Sequence, residues 1–425
     1  MRLLIALLAC AFSMQAQTIH YVLTLGNSNS SGYYATPVLT TMQPYSNLML
    51  SGSSFIPLTE TPNAVEGPMS SDGNQMSLLS SGYVAAVQNN YYFGGAYTDL
   101  EQGTATYNAA IAAVQTAVTA AAALSRPLKA VASIYMAGGT DFGNQVAAAT
   151  YETEMVALQA ALQADVHAKT GQTGVLPLFL DINSKWTEQG EPSETPTLNA
   201  GGKGIQFGVL QAWKDHQGSI VIIGPHYQQT FQASGTGADH TDNVSNRNYG
   251  EQTGKVMNQV LNTGVPWVPL VPRSITISGA TLTFRCWVPS ATSLTIDTTS
   301  VPNWSGTTGT EGYRYLGFEF YDNSGTSPHI TAVAVASADT LTLTLASAPT
   351  GAATSFRLRY DYTGTINTIQ GTLTAPGGNI RDSDAATGVS GGDHLFNWLI
   401  GPMDEAIPFQ WSPTPLVAAT GGIVQ

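Results

Sequence analysis

The amino-acid sequence predicts an α/β domain followed by an antiparallel β-sandwich. Up to about residue 262, short β-rich runs alternate with helical patterns, and a proline-rich stretch follows. Beyond that stretch the pattern changes to runs in which apolar and polar residues alternate. Strands that alternate with helices favour a parallel sheet built from βαβ units. Reactive groups of such sheets lie beyond the carboxyl ends of the strands.

The parallel sheet is predicted from five β-rich runs. They occupy residues 20–25, 90–93, 129–135, 175–181 and 219–224. Apolar residues spaced i, i+3 and i+4 predict helices, which occupy residues 107–124, 146–167, 205–215 and 250–261.

The β-sandwich is predicted from runs such as SITISGATLTFRCWV, ITAVAVASADTLTLTLA and SFRLRYDYTG, within residues 274–362. The stretch VPWVPLVPR at residues 265–273 is predicted to be the linker. We therefore place the α/β domain at residues 17–272, the sandwich at 273–365 and a C-terminal segment at 366–425. An apolar island at residues 394–400 indicates that this segment returns to the α/β domain.

The first 16 residues have the features of an export signal. Arg2 precedes an apolar stretch at residues 3–12, and a small residue, Ala16, follows. We expect a secreted or periplasmic protein. The run ending at Cys10 also resembles a lipoprotein cleavage box, which is the alternative. Cleavage near Ala16 leaves Cys286 as the remaining cysteine, so no intramolecular disulfide is expected.

Composition excludes several classes of protein. Charged residues form 10% of the chain, and the net charge of -13 comes from scattered carboxylates. This balance disfavours nucleic acid as a partner, and no basic stripe is present. The sequence has no HExxH motif and no paired cysteines, so no metal is expected. No phosphate-binding loop follows a strand, so no cofactor is expected. No segment is long enough to be a transmembrane span.

Ser28 and His240 are the candidate catalytic residues. Ser28 lies in a Gly- and Asn-containing turn directly after the first predicted strand, where a hydroxyl can meet a substrate. His240 follows Asp239 and precedes a predicted helix, and a neutral imidazole can accept a serine proton. The alternatives are an ordinary polar loop and a structural histidine. His226, after the fifth strand, is the main rival for the role of base.

Four ordered blocks resemble the SGNH hydrolases, in their sialate O-acetylesterase-like, carbohydrate-esterase branch. Residues 26–29 (GNSN) resemble the GQSN nucleophile block, and residues 93–117 resemble a block with a Gly-Gly pair before a helix. Residues 134–141 take the place of W-x-Q-G-E-x-D, with Gly138 and Asp141 in register. Residues 240–251 resemble H-L-T-x-x-x-Y-R-x-x-G-E, and LFNW at 395–398 resembles a closing LYNW segment.

The resemblance implies a three-layer, flavodoxin-like domain and a secreted esterase. Its substrate would be an acylated carbohydrate, with an acetyl group on a polysaccharide or glycan. Ser28 would be the nucleophile, His240 the general base and Asp239 the residue that orients the imidazole. The oxyanion hole would consist of backbone N–H groups of Ser28 and Gly95 or Gly94. Oligomeric state is not predicted.

The chain departs from the family pattern at three positions. Ala137 replaces the oxyanion-hole Gln, Gly139 replaces a Glu, and Gly237 stands where the family has an Asp. Asp242 is therefore an alternative to Asp239, and Asn144 a further candidate oxyanion donor. Two other functions remain open, namely a catalytically degenerate glycan-binding protein and an O-acyltransferase with the same Ser/His chemistry.

Overall fold

The structure is a computed structural model. It describes residues 17–60, 65–182, 204–231, 240–289, 292–308, 312–362, 365–367, 373–375, 377–391 and 394–413. The predicted export signal, Asp239 and Gly237 lie outside these ranges. None of the helices within them combines the length and apolarity needed to cross a bilayer.

The first part of the chain forms a mixed α/β domain around a seven-stranded sheet. Its strands are β1 (Ile19–Gly26), β2 (Leu48–Ser51), β3 (Ser54–Pro57), β4 (Val84–Tyr91), β5 (Leu128–Met136), β6 (Leu178–Ile182) and β7 (Ile220–Pro225), in the order β3-β2-β4-β1-β5-β6-β7. The β2–β3 hairpin is antiparallel, and the other neighbours pair in parallel. The five long strands follow the order 2-1-3-4-5 known from flavodoxin-like sheets.

Helices cover both faces of this sheet. They are α1 (Pro68–Leu79), α2 (Ala105–Ala123), α3 (Gly139–Gly143), α4 (Ala148–Thr170), α5 (Gly204–Asp215) and α6 (Asn243–Asn258). Helices α2, α4 and α5 share one apolar core with the sheet, and α1 and α6 share another. Because both faces are covered, β1 is buried along its length, as its apolar sequence IHYVLTLG requires.

The structure corrects several predicted elements. The second parallel strand is Val84–Tyr91, so the predicted strand at residues 90–93 is wrong, and its aromatic residues lie mostly in the connection after β4. Helix α6 begins at Asn243, seven residues before the predicted start, because Asp242 accepts a hydrogen bond from the Ser245 N–H and caps it. Helix α1 and the β2–β3 hairpin were not predicted.

The second part of the chain forms antiparallel sheets. Its strands are β8 (Val271–Ser278), β9 (Thr281–Trp287), β10 (Leu294–Ile296), β11 (Gly306–Thr308), β12 (Gly312–Arg314), β13 (Phe318–Tyr321), β14 (Ile330–Ser337), β15 (Thr340–Leu345), β16 (Arg357–Tyr360), β17 (Thr365–Asn367), β18 (Leu373–Ala375), β19 (Ile380–Asp382), β20 (Met403–Ala406) and β21 (Phe409–Gln410). A five-stranded sheet, β14-β15-β9-β8-β21, and a three-stranded sheet, β13-β16-β20, share one apolar core. The rings of Phe284 and Phe318 meet there at 5.3 Å. Strand β8 starts within the predicted linker, and β19, β20 and β21 belong to the C-terminal segment.

The C-terminal segment also contacts helices α1 and α6. Nζ of the buried Lys255 donates to Oδ2 of Asp384 at 3.1 Å, to Oδ1 of Asn397 at 3.0 Å and to the Leu395 carbonyl. The Gln75 side chain of α1 donates to the Thr387 carbonyl at 3.3 Å. The segment thereby satisfies polar groups that these two helices direct away from the sheet.

Candidate active site

Ser28 lies in a tight turn at the carboxyl end of the central strand β1. The N–H groups of Ser30 and Ser31 donate to the carbonyls of Asn27 and Ser28 at 3.1 and 3.2 Å. Gly26 makes the turn possible, since a Cβ there would lie 2.4 Å from Oγ of Ser30. The Asn27 side chain accepts the N–H of Asn29 at 3.1 Å. The hydroxyl of Ser28 is thus presented at the edge of the sheet where parallel folds place their reactive groups.

His240 reaches the same edge from the connection between β7 and α6. It stands two residues before the N-cap residue Asp242, whose backbone N–H donates to the Thr230 carbonyl at 2.9 Å. Thr241 forms an isolated β-bridge with Phe231. The start of the helix and this bridge fix the backbone on which the imidazole is carried.

The structure brings Ser28 and His240 together. Nε2 of His240 lies 2.7 Å from Oγ of Ser28, which is hydrogen-bond distance. The two residues are only 8% and 5% exposed. In the tautomer that carries its proton on Nδ1, Nε2 accepts the serine hydroxyl. This is the contact that a nucleophile needs with its general base.

The two candidate orienting carboxylates differ in position. Asp239 lies outside the described residues. Asp242 is described, and its Oδ1 accepts the Ser245 N–H at 2.8 Å, so this carboxylate acts as a helix cap. Asn144, the candidate side-chain donor, is exposed at the end of α3.

The two candidate oxyanion glycines also differ. The N–H of Gly95 donates to the Tyr92 carbonyl at 3.0 Å, so it is already used in a turn. Gly94 has a φ of 66°, and its carbonyl accepts the Thr140 hydroxyl at 2.8 Å. Among the described residues, neither the N–H of Gly94 nor that of Ser28 has an acceptor. Within the described ranges the N–H groups of Ser28 and Gly94 are therefore available as hydrogen-bond donors, and that of Gly95 is not.

Asp141 has a structural contact. Its two carboxylate oxygens accept the N–H of Tyr97 at 3.0 and 3.1 Å, which ties α3 to the chain that follows Gly94 and Gly95. Burial raises the pKa of this carboxyl group above its ordinary value. Ala137, which takes the place of a Gln in the resemblance described above, is buried and supplies no side-chain donor.

The rival histidine, His226, lies against a different carboxylate. Its Nε2 is 3.6 Å from Oδ2 of Asp181, and its ring meets Tyr249 edge-on at 4.2 Å. Burial lowers the pKa of His226 to about 3 and raises the pKa of Asp181 to about 7. The histidine is therefore neutral near pH 7, so the contact is not a full ion pair.

Aromatic residues beside the dyad were not predicted as part of the site. Tyr33 and Tyr34 follow the serine turn, and their ring centroids lie 5.3 and 5.7 Å from that of His240. Phe93, from the connection after β4, meets Tyr33 edge-on at 4.3 Å. The signal in the sequence was the aromatic run that follows each of these two strands.

The chain matches no protein-family model, and no curated protein is significantly similar to it in sequence. Its fold is similar to that of a carbohydrate acetylesterase from Xanthomonas citri, with a TM-score of 0.56 and 11% identity over 90% of this chain and 80% of that one. A protein from Arabidopsis thaliana is 15% identical, with a TM-score of 0.41 over 57% of this chain and 98% of the other. A carbohydrate acetylesterase from Sinorhizobium meliloti is 12% identical, with a TM-score of 0.32 over 57% and 98%. The first of these structures establishes a shared fold.

Proposed function

We propose that this chain is a serine esterase of the SGNH type that removes acyl groups, acetyl above all, from a polysaccharide or glycan. The observation that carries the proposal is the 2.7 Å contact between Oγ of Ser28 and Nε2 of His240. It lies at the carboxyl edge of a parallel sheet, the place where α/β enzymes hold their catalytic groups.

The mechanism proceeds by two acyl transfers. His240 accepts the hydroxyl proton as Oγ of Ser28 attacks the ester carbonyl, and the tetrahedral intermediate then expels the sugar alcohol, which takes that proton from His240. His240 next accepts a proton from water, which attacks the acyl-enzyme. Collapse of this second intermediate releases the acid and returns the proton to Ser28. Asp239 orients the imidazole in this scheme.

The oxyanion is held by the backbone N–H groups of Ser28 and Gly94. Both groups lack an acceptor within the described ranges, whereas the N–H of Gly95 is engaged with Tyr92. Each lost oxyanion donor lowers the rate of such enzymes by about 10²–10³. With Ala137 in place of the family's Gln, two backbone donors carry the stabilisation.

Two observations support the proposed substrate class, namely the shared fold and the predicted export signal. The Xanthomonas citri protein of similar fold acts on acetylated carbohydrate, and we extend that class to this chain. The apolar stretch near the amino terminus supports export, which would place the enzyme where extracellular polysaccharides are met.

Acetate release tests the proposal. Wild type is assayed with p-nitrophenyl acetate and with acetylated xylan, beside Ser28→Ala and His240→Ala. Ser54→Ala and His216→Ala, at exposed positions on the β2–β3 hairpin and after α5, are the matched controls. We expect the first pair to lose at least about 10³-fold in kcat/KM and the controls to lose nothing. Equal activity of wild type and Ser28→Ala, or no acetate release by either, overturns the mechanism.

The same assay separates the two alternatives. An O-acyltransferase would consume p-nitrophenyl acetate faster when a glycan acceptor is added and would leave the acetyl group on that acceptor. A degenerate binding protein would retain oligosaccharide and release no acetate. The hydrolase instead yields one acetate for each p-nitrophenol at all acceptor concentrations.

A further inference from the structure

Aromatic side chains form one surface beside the dyad. Tyr33 and Tyr34 lie 4.0 Å apart, Tyr33 meets Phe93 at 4.3 Å, and Phe93 meets Tyr91 at 5.8 Å between ring centroids. We call these four side chains, Tyr33, Tyr34, Tyr91 and Phe93, the aromatic platform. Tyr33 and Tyr34 follow β1, Tyr91 is the last residue of β4 and Phe93 follows it, and these two strands are adjacent.

Solvent reaches most of the platform. Tyr34, Tyr91 and Phe93 are 40%, 42% and 48% exposed, while Tyr33 is partly buried beneath them. Apolar groups that form one contiguous exposed patch mark interaction surfaces or ligand-binding sites. The packing of the domain does not require them there, since its two apolar cores consist of other residues.

The backbone at Tyr34 supports a role in binding. Its φ of 65° lies in the left-handed region, where a residue with a Cβ is strained by about 1 kcal/mol. Such strain persists where a function holds the residue in place. In this conformation the Tyr34 ring lies edge-on to the His240 ring, with centroids 5.7 Å apart.

The distances fix what part of a substrate meets the platform. An ester carbonyl attacked by Ser28 lies about 3 Å from its Oγ. The rings of Tyr33 and Tyr34 lie within 6 Å of the imidazole that contacts this oxygen. In the proposed mechanism the leaving sugar oxygen takes its proton from His240, so the sugar lies on the side of the carbonyl where these rings are. A pyranose presents C–H bonds on its faces and hydroxyls at its rim, which suits aromatic faces with tyrosine hydroxyls nearby.

Charge narrows the class of sugar. The two stretches that supply the platform, residues 26–35 at the end of β1 and residues 89–100 at the end of β4, contain no Lys or Arg. They provide no cation to pair with the carboxylate of a sialic acid or a uronic acid. The only ionised side chain in these two stretches is the acidic Asp99. The surface therefore suits a neutral sugar.

We propose that the aromatic platform is a binding subsite for a neutral pyranose ring of an acetylated glycan. The proposal rests on the proposed function for the adjacent ester-cleaving dyad, and it adds that the sugar is uncharged and is held by ring stacking. The platform increases the affinity for the glycan and does not take part in the attack of Ser28 on the ester carbonyl.

The test compares a substrate that has a sugar with one that lacks it. Acetylated xylo-oligosaccharide and p-nitrophenyl acetate are assayed with Tyr34→Ala, Phe93→Ala and the double variant. Tyr313→Ala is the matched control, because Tyr313 stacks on His329 in the sandwich at 5.2 Å. For the double variant we expect kcat/KM on the oligosaccharide to fall at least about tenfold, mainly through KM, with p-nitrophenyl acetate changed by less than about threefold.

Binding is measured separately from catalysis. Xylohexaose is titrated calorimetrically into Ser28→Ala, into Ser28→Ala/Tyr34→Ala and into Ser28→Ala/Tyr34→Phe, whose melting temperatures establish that they are folded. Loss of binding with Ala and retention with Phe supports the platform, even if wild type hydrolyses no ester. Equal binding of xylohexaose by all three variants, or an equal fall in kcat/KM on both substrates, overturns the platform proposal. Neither result affects the proposed esterase activity, which is tested separately by Ser28→Ala. A sialylated oligosaccharide that binds as well as xylohexaose overturns the assignment of a neutral sugar.

Discussion

Oγ of Ser28 and Nε2 of His240 lie 2.7 Å apart, although 212 residues separate them in the sequence. The serine follows the central strand of the sheet, and the histidine precedes the helix after its last parallel strand. A contact of this kind forms only when the whole sheet between them is in register. If the proposed esterase activity depends on this contact, that activity reports how much of the α/β domain is correctly assembled.

The two buried histidines near the sheet edge should respond differently to truncation. His240→Ala removes the base, so we expect kcat/KM to fall at least about 10³-fold with little loss of stability. His226→Ala leaves a cavity beside Tyr249, so we expect a loss of about 2 kcal/mol in unfolding free energy with the dyad intact. Urea unfolding and p-nitrophenyl acetate turnover measure the two effects. Activity lost in His226→Ala and kept in His240→Ala would reverse the assignment.

Gly250 permits the close approach of helices α1 and α6. A Cβ there would lie 2.0 Å from the Pro68 carbonyl oxygen and 2.1 Å from Oγ of Ser71. Gly250→Ala should therefore lower the unfolding free energy by at least about 2 kcal/mol. It should also reduce the proposed esterase activity, because His240 lies just before the start of α6. Gly218→Ala is the control, since nothing lies within 4 Å of its Cβ position. Equal stability of the two variants would contradict the close packing.

Glu60 should make the protein less stable as pH rises. Burial, with the nearby Glu66 carboxylate, raises the pKa of Glu60 to about 7 in the folded state, although Ser70 donates to it. An acid with a raised folded pKa contributes stability below its unfolded pKa of about 4.3, and this is lost as pH rises through the folded value. We expect wild type to lose about 2 kcal/mol between pH 5 and pH 8 through this group.

The comparison with Glu60→Gln isolates this effect. The neutral amide has no proton to lose, so its stability should vary less over the same pH range. Other buried carboxyls, such as Asp72 and Asp181, titrate in the same direction in both proteins and cancel in the difference. If the urea unfolding free energies of wild type and Glu60→Gln change in parallel with pH, Glu60 does not have a raised pKa in the folded protein.

Lys255 should anchor the C-terminal segment. Lys255→Met leaves the Asp384 carboxylate, which is 21% exposed, without its 3.1 Å partner, so we expect a loss of about 2–3 kcal/mol. Adding Asp384→Asn removes the unpaired charge and should restore about 1 kcal/mol. Urea unfolding gives both values, and limited proteolysis should cut residues 384–397 faster in the single variant. A double variant no more stable than the single one would mean that the charge pair is not the anchor.

The alternation of strands and helices could be predicted from the sequence. Elements whose buried side chains are polar could not. Helix α1 (PMSSDGNQMSLL) has buried polar residues, so no apolar stripe marks it. Its side chains are satisfied instead by tertiary hydrogen bonds: Asn74 accepts from Asn47 at 3.0 Å, and Ser77 donates to Asn47 at 2.8 Å. Such partners cannot be identified before the chain is folded.

The candidate site shows the same limit. Ser28 and His240 stand in short motifs whose order along the chain pointed to one edge of the sheet. The choice between Gly94 and Gly95 depends on which N–H is used by the turn, and neighbouring glycines look alike in a sequence. The strand β4 was misplaced because its first half, VAAV, is short, and the aromatic residues at its end and after it have a high strand propensity of their own.

The hydrogen bond from Gln75 to the Thr387 carbonyl spans 312 residues, and this has a consequence for biosynthesis. At about 5–20 residues per second, a ribosome completes that interval on the order of 15–60 s after it has made α1. Throughout that interval the amide of Gln75 keeps its water, and so does the ammonium of Lys255 once it has been made. The contacts that helices α1 and α6 make with the C-terminal segment form only after the sandwich has been synthesised, so the protein completes its folding at the end of translation or after it.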